Sequence, residues 1–122
     1  MNFKRRIMSF KYAFAGLSEL WQKEKNTRIH LFFTIIVIIF SFLLKVSAAE
    51  FCILILTISA VWGAEAMNSS VERVVDLITL EKHPLAKAAK DLAAGSVLLF
   101  AIGSVIIGVV IFLPKIISLF VY

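Results

Sequence analysis

Four polar side chains recur at helical spacing in the middle of the chain. Glu65, Asn68, Glu72 and Asp76 are separated by 3, 4 and 4 residues, which places them within an arc of about 80° on one face of a helix. We refer to these four residues as the acidic stripe. A carboxylate at the edge of an apolar layer keeps its proton more firmly than one in water, and it can act as a general base on a hydroxyl group. A carboxylate nearer water can hold Mg²⁺, which prefers oxygen ligands and nucleotide phosphates.

Two interpretations without chemistry remain open for the acidic stripe. It can be the water-facing side of a helix that leaves an apolar layer, which suits Asp76 and Glu72. Alternatively, Glu65 can form a purely structural pair with a cation on a neighbouring helix. Ionisable groups inside an apolar span are costly, and this cost favours a functional role.

A smaller polar cluster precedes the first long apolar run. Trp21, Glu24 and Arg28 are separated by 3 and 4 residues. Trp21 and Arg28 are typical of residues that anchor a helix at a membrane interface. Glu24 is harder to explain in this way, because an acid beside anionic headgroups is unfavourable unless it binds a cation.

A second polar cluster precedes the last apolar run and carries both signs of charge: His83, Lys87, Lys90 and Asp91. Lys90 is expected one turn before that run, where its ammonium group can contact polyphosphate. Lysines at such positions also commonly do no more than orient a membrane protein. The sequence leaves both roles open for Lys90.

The elements that position these residues must lie in a membrane. Of the 122 residues, 61% are hydrophobic and only 17% are charged, with a net charge of +5. A soluble domain of this size could not bury so much apolar surface. The basic excess fits an anionic membrane surface, and we expect no nucleic-acid partner. The lone cysteine, Cys52, is predicted to be a buried apolar side chain.

Several familiar catalytic patterns do not occur in the sequence. It has no phosphate-binding glycine loop, no protein-kinase signature set, no zinc-ligand spacing and no Ser/His/Asp arrangement. The soluble kinase architectures are therefore excluded.

The sequence predicts one all-α integral membrane domain over residues 1–122, with three transmembrane helices at 29–45, 50–70 and 93–113. The second apolar run, 51–64, has 14 residues and is too short to cross a bilayer at a rise of about 1.5 Å per residue. Its helix must therefore continue through Glu65, which brings a carboxylate into or near the bilayer. Pro84 is expected to break the polar segment before the third span, and Pro114 to close that span.

Residues 1–27 are predicted to form an amphipathic helix at the membrane interface, because large apolar side chains recur at intervals of 3 and 4: Phe3, Ile7, Phe10, Phe14, Leu17 and Trp21. The distribution of cations predicts the orientation. The N-terminal segment and the loop before the third span share one side and carry 11 of the 13 lysines and arginines, and the other side has Lys45 and Lys115. The positive-inside rule places the N-terminus in the cytoplasm.

The acidic stripe belongs to a longer motif. Residues 65–76 read Glu-Ala-Met-Asn-Ser-Ser-Val-Glu-Arg-Val-Val-Asp and resemble the signature of the bacterial diacylglycerol kinase family, E-x-x-N-[ST]-[SA]-[LIV]-E-x-x-V-D, at every fixed position. Flanking residues fit the same family: Tyr12 and Gly16, then Trp21, Glu24 and Arg28, and finally Ala89, Lys90 and Asp91. The likeness covers nearly the whole chain.

This resemblance implies a homotrimer of three-span protomers in the bacterial cytoplasmic membrane, with active sites shared between subunits. It implies ATP as phosphoryl donor and Mg²⁺ as cofactor, with Glu65 as general base and Glu24 and Glu72 as metal ligands. Trp21 and Arg28, together with Glu65, would border the lipid site. The residues around the nucleotide would be Arg5, Tyr12, Glu24, Asn68, Glu72, Asp76, Glu81, Lys82, His83, Lys90 and Asp91.

Within the family, the chain looks like the undecaprenol kinase branch. Segments 83–91, 93–95 and 111–115 carry this likeness. The diacylglycerol branch usually has further basic residues on the surface helix, where this chain has Ala15 and Ser18. We therefore expect an ATP- and Mg²⁺-dependent lipid kinase that converts undecaprenol to undecaprenyl phosphate at the cytoplasmic face, with diacylglycerol as the alternative substrate. Two other classes remain as rivals: a small ion- or proton-coupled carrier that uses Glu65 as a relay, and a non-catalytic membrane subunit.

Overall fold

The computed structural model of the chain describes residues 2–24 and 26–121, and the regular structure within them is helical. Four helices follow one another: α1 (Phe3–Lys23), α2 (Asn26–Leu43), α3 (Ala48–Ile78) and α4 (Pro84–Phe120). The last three are long and apolar enough to cross a membrane. The predicted all-α fold with three such helices is confirmed. Met1 of the predicted surface helix and Lys25, one of the counted cations, lie outside the described residues.

Helix α3 runs without interruption from Ala48 through Glu65 to Ile78. The predicted continuation of the second apolar run into the acidic stripe is therefore confirmed. Glu65 lies 17 residues beyond the first residue of the helix, or about 26 Å along its axis. Since a hydrocarbon core is about 30 Å thick, a span that begins at Ala48 brings Glu65 close to the far edge of the bilayer.

The connection between α2 and α3 is short and is fixed by local sequence signals. Lys45 has a φ of 53°, the left-handed conformation in which many helices end. Ser47 and Glu50 then form a capping box: Ser47 Oγ accepts from the Glu50 backbone N–H at 3.1 Å, and Glu50 Oε1 accepts from the Ser47 backbone N–H at 2.9 Å. Only residues 44–47 separate the two helices, which therefore run in opposite directions.

The two prolines occupy different positions in α4. Pro84 is its first residue, where the missing N–H needs no partner and the fixed φ suits a helix. Pro114 lies inside α4, which continues to Phe120. The helix therefore extends beyond Pro114, and the expectation that the third membrane span closes there stays a prediction. A proline removes one backbone hydrogen bond and bends the preceding turn, a defect that transmembrane helices tolerate.

Helices α3 and α4 pack as an antiparallel hairpin, which is the closest helix pairing in the described chain. Lys115 Nζ lies 3.0 Å from Glu50 Oε1 at one end, and Lys90 Nζ lies 2.6 Å from Asp76 Oδ1 at the other. The two acids are 26 residues apart in the sequence, or about 39 Å along the helix axis. This distance exceeds a hydrocarbon thickness of about 30 Å, so the two ion pairs fit the polar layers on opposite sides of a membrane.

The single chain encloses few side chains. Large apolar groups cover the outside of the helices, as Phe42 and Leu99 show with 72% and 73% exposure. Cys52 is exposed as well, and the prediction that it is buried is wrong for the isolated chain, because three spanning helices leave little interior. Such a surface is stable only against lipid or another apolar chain.

Candidate active site

The acidic stripe runs along α3 from a buried end to an exposed end. Glu65 is only 3% exposed, Asn68 and Glu72 are half-buried, and Asp76 is exposed. Burial therefore decreases from the apolar part of α3 toward its polar end. The order of burial is the one that the spacing predicted, and the roles of general base and metal ligand stay predictions.

Asn68 and Glu72 form the centre of the stripe. The Asn68 amide Nδ2 donates to Glu72 Oε1 at 3.4 Å, a long hydrogen bond. The amide oxygen Oδ1 is buried and accepts no hydrogen bond in the described part of the chain. A buried carbonyl oxygen without a partner is unfavourable, whereas a hard cation would accept it as a ligand. The pair thus presents oxygen atoms of the kind that Mg²⁺ prefers.

At the buried end, Glu65 faces a histidine that the sequence analysis did not assign to the site. His30 Nε2 on α2 lies 3.4 Å from Glu65 Oε2. The sequence held one signal for this residue, since His30 is the only titratable side chain between Arg28 and Lys45. Its contact with Glu65 joins positions 35 residues apart and depends on how α2 packs against α3, so spacing alone could not find it.

Helix α1 approaches α3 near the polar end of the stripe. Glu19 Oε1 on α1 lies 4.0 Å from Arg73 Nη2 on α3. The junction between α1 and α2 is fixed at the Leu20 carbonyl, which accepts from Thr27 Oγ1 at 3.2 Å and from the Glu24 backbone N–H at 3.1 Å. Leu20 and Thr27 are both buried. The half-buried Glu24 therefore directly follows α1, with its backbone N–H bonded to the last turn of that helix.

The oxygen atoms of the stripe fit a magnesium ion whose coordination shell is completed by the phosphates of a bound nucleotide. Among residues 2–24 and 26–121, no group of three or more His, Cys, Asp or Glu side chains is close enough to form a metal cage. Mg²⁺ is usually held by only one or two carboxylates, with water and substrate phosphates completing its shell. Glu72 and the unpartnered oxygen of Asn68 match that kind of site. Within the described chain, the Glu24 side chain forms no hydrogen bond or ion pair with either of them.

Two of the residues predicted to bind the nucleotide contact each other. Lys90 on α4 pairs with Asp76 on α3, and their side chains are 40% and 48% exposed. One turn away on α4, Lys87 pairs with Asp91. The exposed end of the acidic stripe is therefore joined to the second polar cluster, on α4, at a position open to water.

The other predicted site residues form no hydrogen bond or ion pair with the stripe in the part of the chain that the structure describes. Glu81 and Lys82 are exposed between α3 and α4, and His83 Nδ1 accepts from the Leu85 backbone N–H at 3.1 Å as the N-cap of α4. The remaining four are exposed on α1 and at the start of α2: Arg5, Tyr12, Trp21 and Arg28. Within the described chain, the side chains of those four form no hydrogen bond or ion pair with the stripe.

Comparison with known proteins supports a single family over most of the chain. Residues 11–112 match the family described as prokaryotic diacylglycerol kinase. The chain is 45% identical to an undecaprenol kinase of Bacillus subtilis over 111 residues, which cover 91% of this chain and 90% of that protein. It is 44% identical to a diacylglycerol kinase of Synechocystis over 94% of this chain and 66% of that protein. A diacylglycerol kinase of Escherichia coli is 32% identical over 86% of each chain.

The matched segment contains the acidic stripe and both flanking polar clusters. The two rival functions, a carrier and a non-catalytic membrane subunit, are not supported. The relatives that match most of this chain are kinases. The resemblance noted in the sequence is confirmed: this chain, with its three membrane-spanning helices, belongs to the prokaryotic diacylglycerol kinase family and is a lipid kinase, a phosphotransferase with an alcohol acceptor.

Proposed function

We propose that this kinase transfers the γ-phosphoryl group of ATP to the hydroxyl group of undecaprenol, with Mg²⁺ accompanying the nucleotide. The 45% identity to the Bacillus subtilis undecaprenol kinase extends over about nine-tenths of both chains, and it exceeds the 32% identity to the Escherichia coli diacylglycerol kinase. Ala15 and Ser18 on α1, in place of basic residues, support the same substrate. Diacylglycerol is the second candidate, because the Synechocystis relative named for it is 44% identical.

The buried carboxylate of Glu65 is the observation that carries the proposed mechanism. It is 3% exposed, lies on a helix long and apolar enough to span a membrane, and leads a row of increasingly exposed polar groups. An ionisable group is costly in such surroundings, and a role as proton acceptor for a lipid hydroxyl explains why the position carries an acid.

In the proposed reaction, a bond forms between the lipid hydroxyl oxygen and the γ-phosphorus of ATP. The bond from that phosphorus to the β–γ bridging oxygen breaks, and ADP leaves. Glu65 accepts the proton of the hydroxyl group. Trp21 and Arg28, on either side of the fixed α1–α2 junction, hold the lipid so that its oxygen is in line with the bond that breaks.

The nucleotide is proposed to bind at the exposed end of the stripe. Glu24 and Glu72 would hold Mg²⁺, which neutralises charge on the phosphates when bound. Lys90 would turn from Asp76 toward a phosphate oxygen and stabilise the charge that develops there. Around them, the nucleotide would contact a further set of residues: Arg5, Tyr12, Asn68, Asp76, Glu81, Lys82, His83 and Asp91.

A homotrimer with shared active sites is part of the proposal. The outward position of Arg5 and Tyr12 suits residues that serve the site of a neighbouring subunit, and much of the apolar surface of α2 and α4 is open in the single chain. Light scattering of the detergent complex, corrected for bound detergent, should give three times the chain mass of 13.6 kDa. A mass of one chain in an active preparation would contradict shared sites.

The proposed location is the bacterial cytoplasmic membrane, with the N-terminus and the acidic end of α3 in the cytoplasm. Support comes from the 11 of 13 cations on that side and from the ion pairs at both ends of the α3–α4 hairpin. The amphipathic helix α1 would lie in the interface, because its large apolar side chains are exposed rather than packed on the chain.

Purified protein in mixed micelles tests the substrate directly. Radiolabelled ATP, Mg²⁺ and equal amounts of undecaprenol or diacylglycerol are supplied, and labelled lipid is measured over time. We expect a higher kcat/KM for undecaprenol. A preference for diacylglycerol would assign the chain to the second candidate, and folded protein that labels neither lipid would contradict the proposal.

A further inference from the structure

His30 is a polar residue in an apolar setting that the proposed mechanism does not yet use. It lies in the first turns of α2 and lines a cavity of about 390 Å³ between α2, α3 and α4. The other residues around that cavity are mostly apolar, including Phe33, Val37 and Leu54. A histidine in such a place needs a partner for its ring nitrogens, since an unpaired buried polar group is costly.

The partner of the histidine ring is the proposed base. His30 Nε2 lies 3.4 Å from Glu65 Oε2, which is an ion-pair distance without the alignment of an N–H···O hydrogen bond. Hydrogen bonds of catalytic groups are often long without substrate and shorten when it binds. Besides His30, no side chain forms a hydrogen bond or ion pair with the Glu65 carboxylate in the described part of the chain.

A set of contacts between α2 and α3 holds the imidazole in place. The His30 ring lies against Trp62, with ring centroids 6.1 Å apart and planes tilted by 57°. Trp62 Nε1 donates to Thr34 Oγ1 at 3.0 Å, and Thr34 Oγ1 donates to the His30 carbonyl at 2.7 Å. The backbone and the ring of His30 are therefore both fixed relative to the helix that carries Glu65.

A hydrogen-bond donor held beside one oxygen of Glu65 would stabilise the ionised carboxylate and orient it. A carboxylate must be ionised to accept a proton, and in apolar surroundings the ionised form is stabilised by a hydrogen-bond donor. Nε2 lies nearest Oε2, so a hydrogen bond formed there would leave the second oxygen, Oε1, to accept from the substrate. The donor would also hold the carboxylate in one of the orientations that the side chain could adopt. Such alignment of reacting atoms increases the reaction rate.

We propose that His30 is a positioning residue of the kinase, whose Nε2–H holds Oε2 of Glu65 so that Oε1 faces the lipid hydroxyl group. This inference rests on the proposed role of Glu65 as base. The imidazole keeps its own hydrogen throughout, and the hydroxyl proton goes to Oε1 of Glu65. His30 therefore assists the proton transfer without touching the lipid or the nucleotide.

Two substitutions distinguish the effect of the His30 N–H donor from the effect of its aromatic ring. His30→Phe keeps an aromatic ring beside Trp62 and removes the N–H, and we expect kcat to fall by about 10- to 100-fold. His30→Gln places an amide Nε2–H at a similar distance along the side chain, and we expect kcat within about fivefold of the wild type. The KM for Mg-ATP should change by less than about twofold in both variants, because the contact lies at the buried end of the stripe.

The matched control is Ser41→Ala, a buried polar residue on the same helix whose Oγ donates only to the Val37 carbonyl at 2.6 Å. It should retain wild-type kcat. Thermal unfolding in detergent is followed for every variant, so that loss of the fold is distinguished from loss of positioning. Wild-type kcat in folded His30→Phe would overturn the proposal. Equal losses in His30→Gln and His30→Phe would overturn the donor role.

The same assays distinguish this inference from the proposed function. If Glu65→Gln is inactive and His30→Phe is fully active, Glu65 remains the base and only the role of His30 is wrong. If Glu65→Gln is itself active, the base assignment fails and the role of His30 fails with it.

Discussion

Lys90 Nζ on α4 lies 2.6 Å from Asp76 Oδ1 on α3, and this ion pair closes the polar end of the α3–α4 hairpin. It joins Asp76, the last residue of the acidic stripe, to the second polar cluster, which precedes the third span. Both side chains are partly open to water, so the pair contributes little to the free energy of folding, on the order of 1 kcal/mol or less. Its position at the exposed end of the stripe therefore suits an exchange of partners when a phosphate arrives.

Lys90→Met tests this exchange. Because the lysine is proposed to contact a phosphate, we expect kcat/KM for ATP to fall by about 10- to 100-fold, while the midpoint of thermal unfolding changes little. Lys115→Met is the matched control, since Lys115 also pairs with a carboxylate of α3, Glu50, but at the opposite end of the hairpin, and it has no proposed contact with the nucleotide. Equal effects of the two substitutions would show a general loss of positive charge rather than a specific phosphate contact.

Glu65→Gln tests the proposed base. The substitution keeps the size of the side chain and removes its ability to accept a proton, so we expect kcat to fall by about 10²- to 10⁴-fold. Nucleotide binding, followed with a fluorescent ATP analogue, should persist because the nucleotide is proposed to lie at the other end of the stripe.

The control for Glu65 is Glu50→Gln in the same helix. Glu50 caps the opposite end of α3 and pairs with Lys115, so its neutralisation should leave kcat unchanged. A Glu65→Gln protein with full lipid kinase activity would refute the base assignment, whatever the nucleotide affinity.

The sequence predicted the features that depend on local pattern. The 14-residue apolar run at 51–64 required a helix that continues through Glu65, and α3 does continue. The spacing of Asn68 and Glu72 predicted that their side chains share a face, and they are hydrogen-bonded. Both results follow from the fixed period of a helix, which is independent of the rest of the fold.

The sequence could not predict features that depend on how separate helices meet. The contact of His30 with Glu65 needs α2 to be placed against α3, and the pairing of Asp76 with Lys90 needs the hairpin to close in one register. The continuation of α4 through Pro114 was missed for another reason. A proline often ends a helix, but it removes only one backbone hydrogen bond, and α4 continues beyond it to Phe120.

Glu24→Ala and Glu72→Ala test the proposed metal ligands. Each removes one oxygen donor from the cation, so we expect weaker binding of Mg-ATP and a rise in the Mg²⁺ concentration needed for half-maximal activity, by about tenfold or more. Excess Mg²⁺ should restore part of the rate. Glu50→Gln, which neutralises an acid at the opposite end of α3, should not shift the Mg²⁺ requirement. A rate that falls without any change in the Mg²⁺ dependence would contradict the metal role.

Thr27→Val tests whether the α1–α2 junction positions Glu24. Thr27 is fully buried, and its Oγ1 donates to the Leu20 carbonyl that also accepts from the Glu24 N–H. Valine keeps the shape and removes one hydrogen bond, which should lower the free energy of unfolding by about 1 kcal/mol. A loosened turn should also raise the Mg²⁺ requirement, as expected for Glu24→Ala but less strongly. Thr57→Val is the control, because Thr57 Oγ1 donates only to the Ile53 carbonyl of its own helix at 2.7 Å. If Thr27→Val lowers stability but leaves the Mg²⁺ dependence unchanged, the junction holds the fold together without positioning the metal ligand.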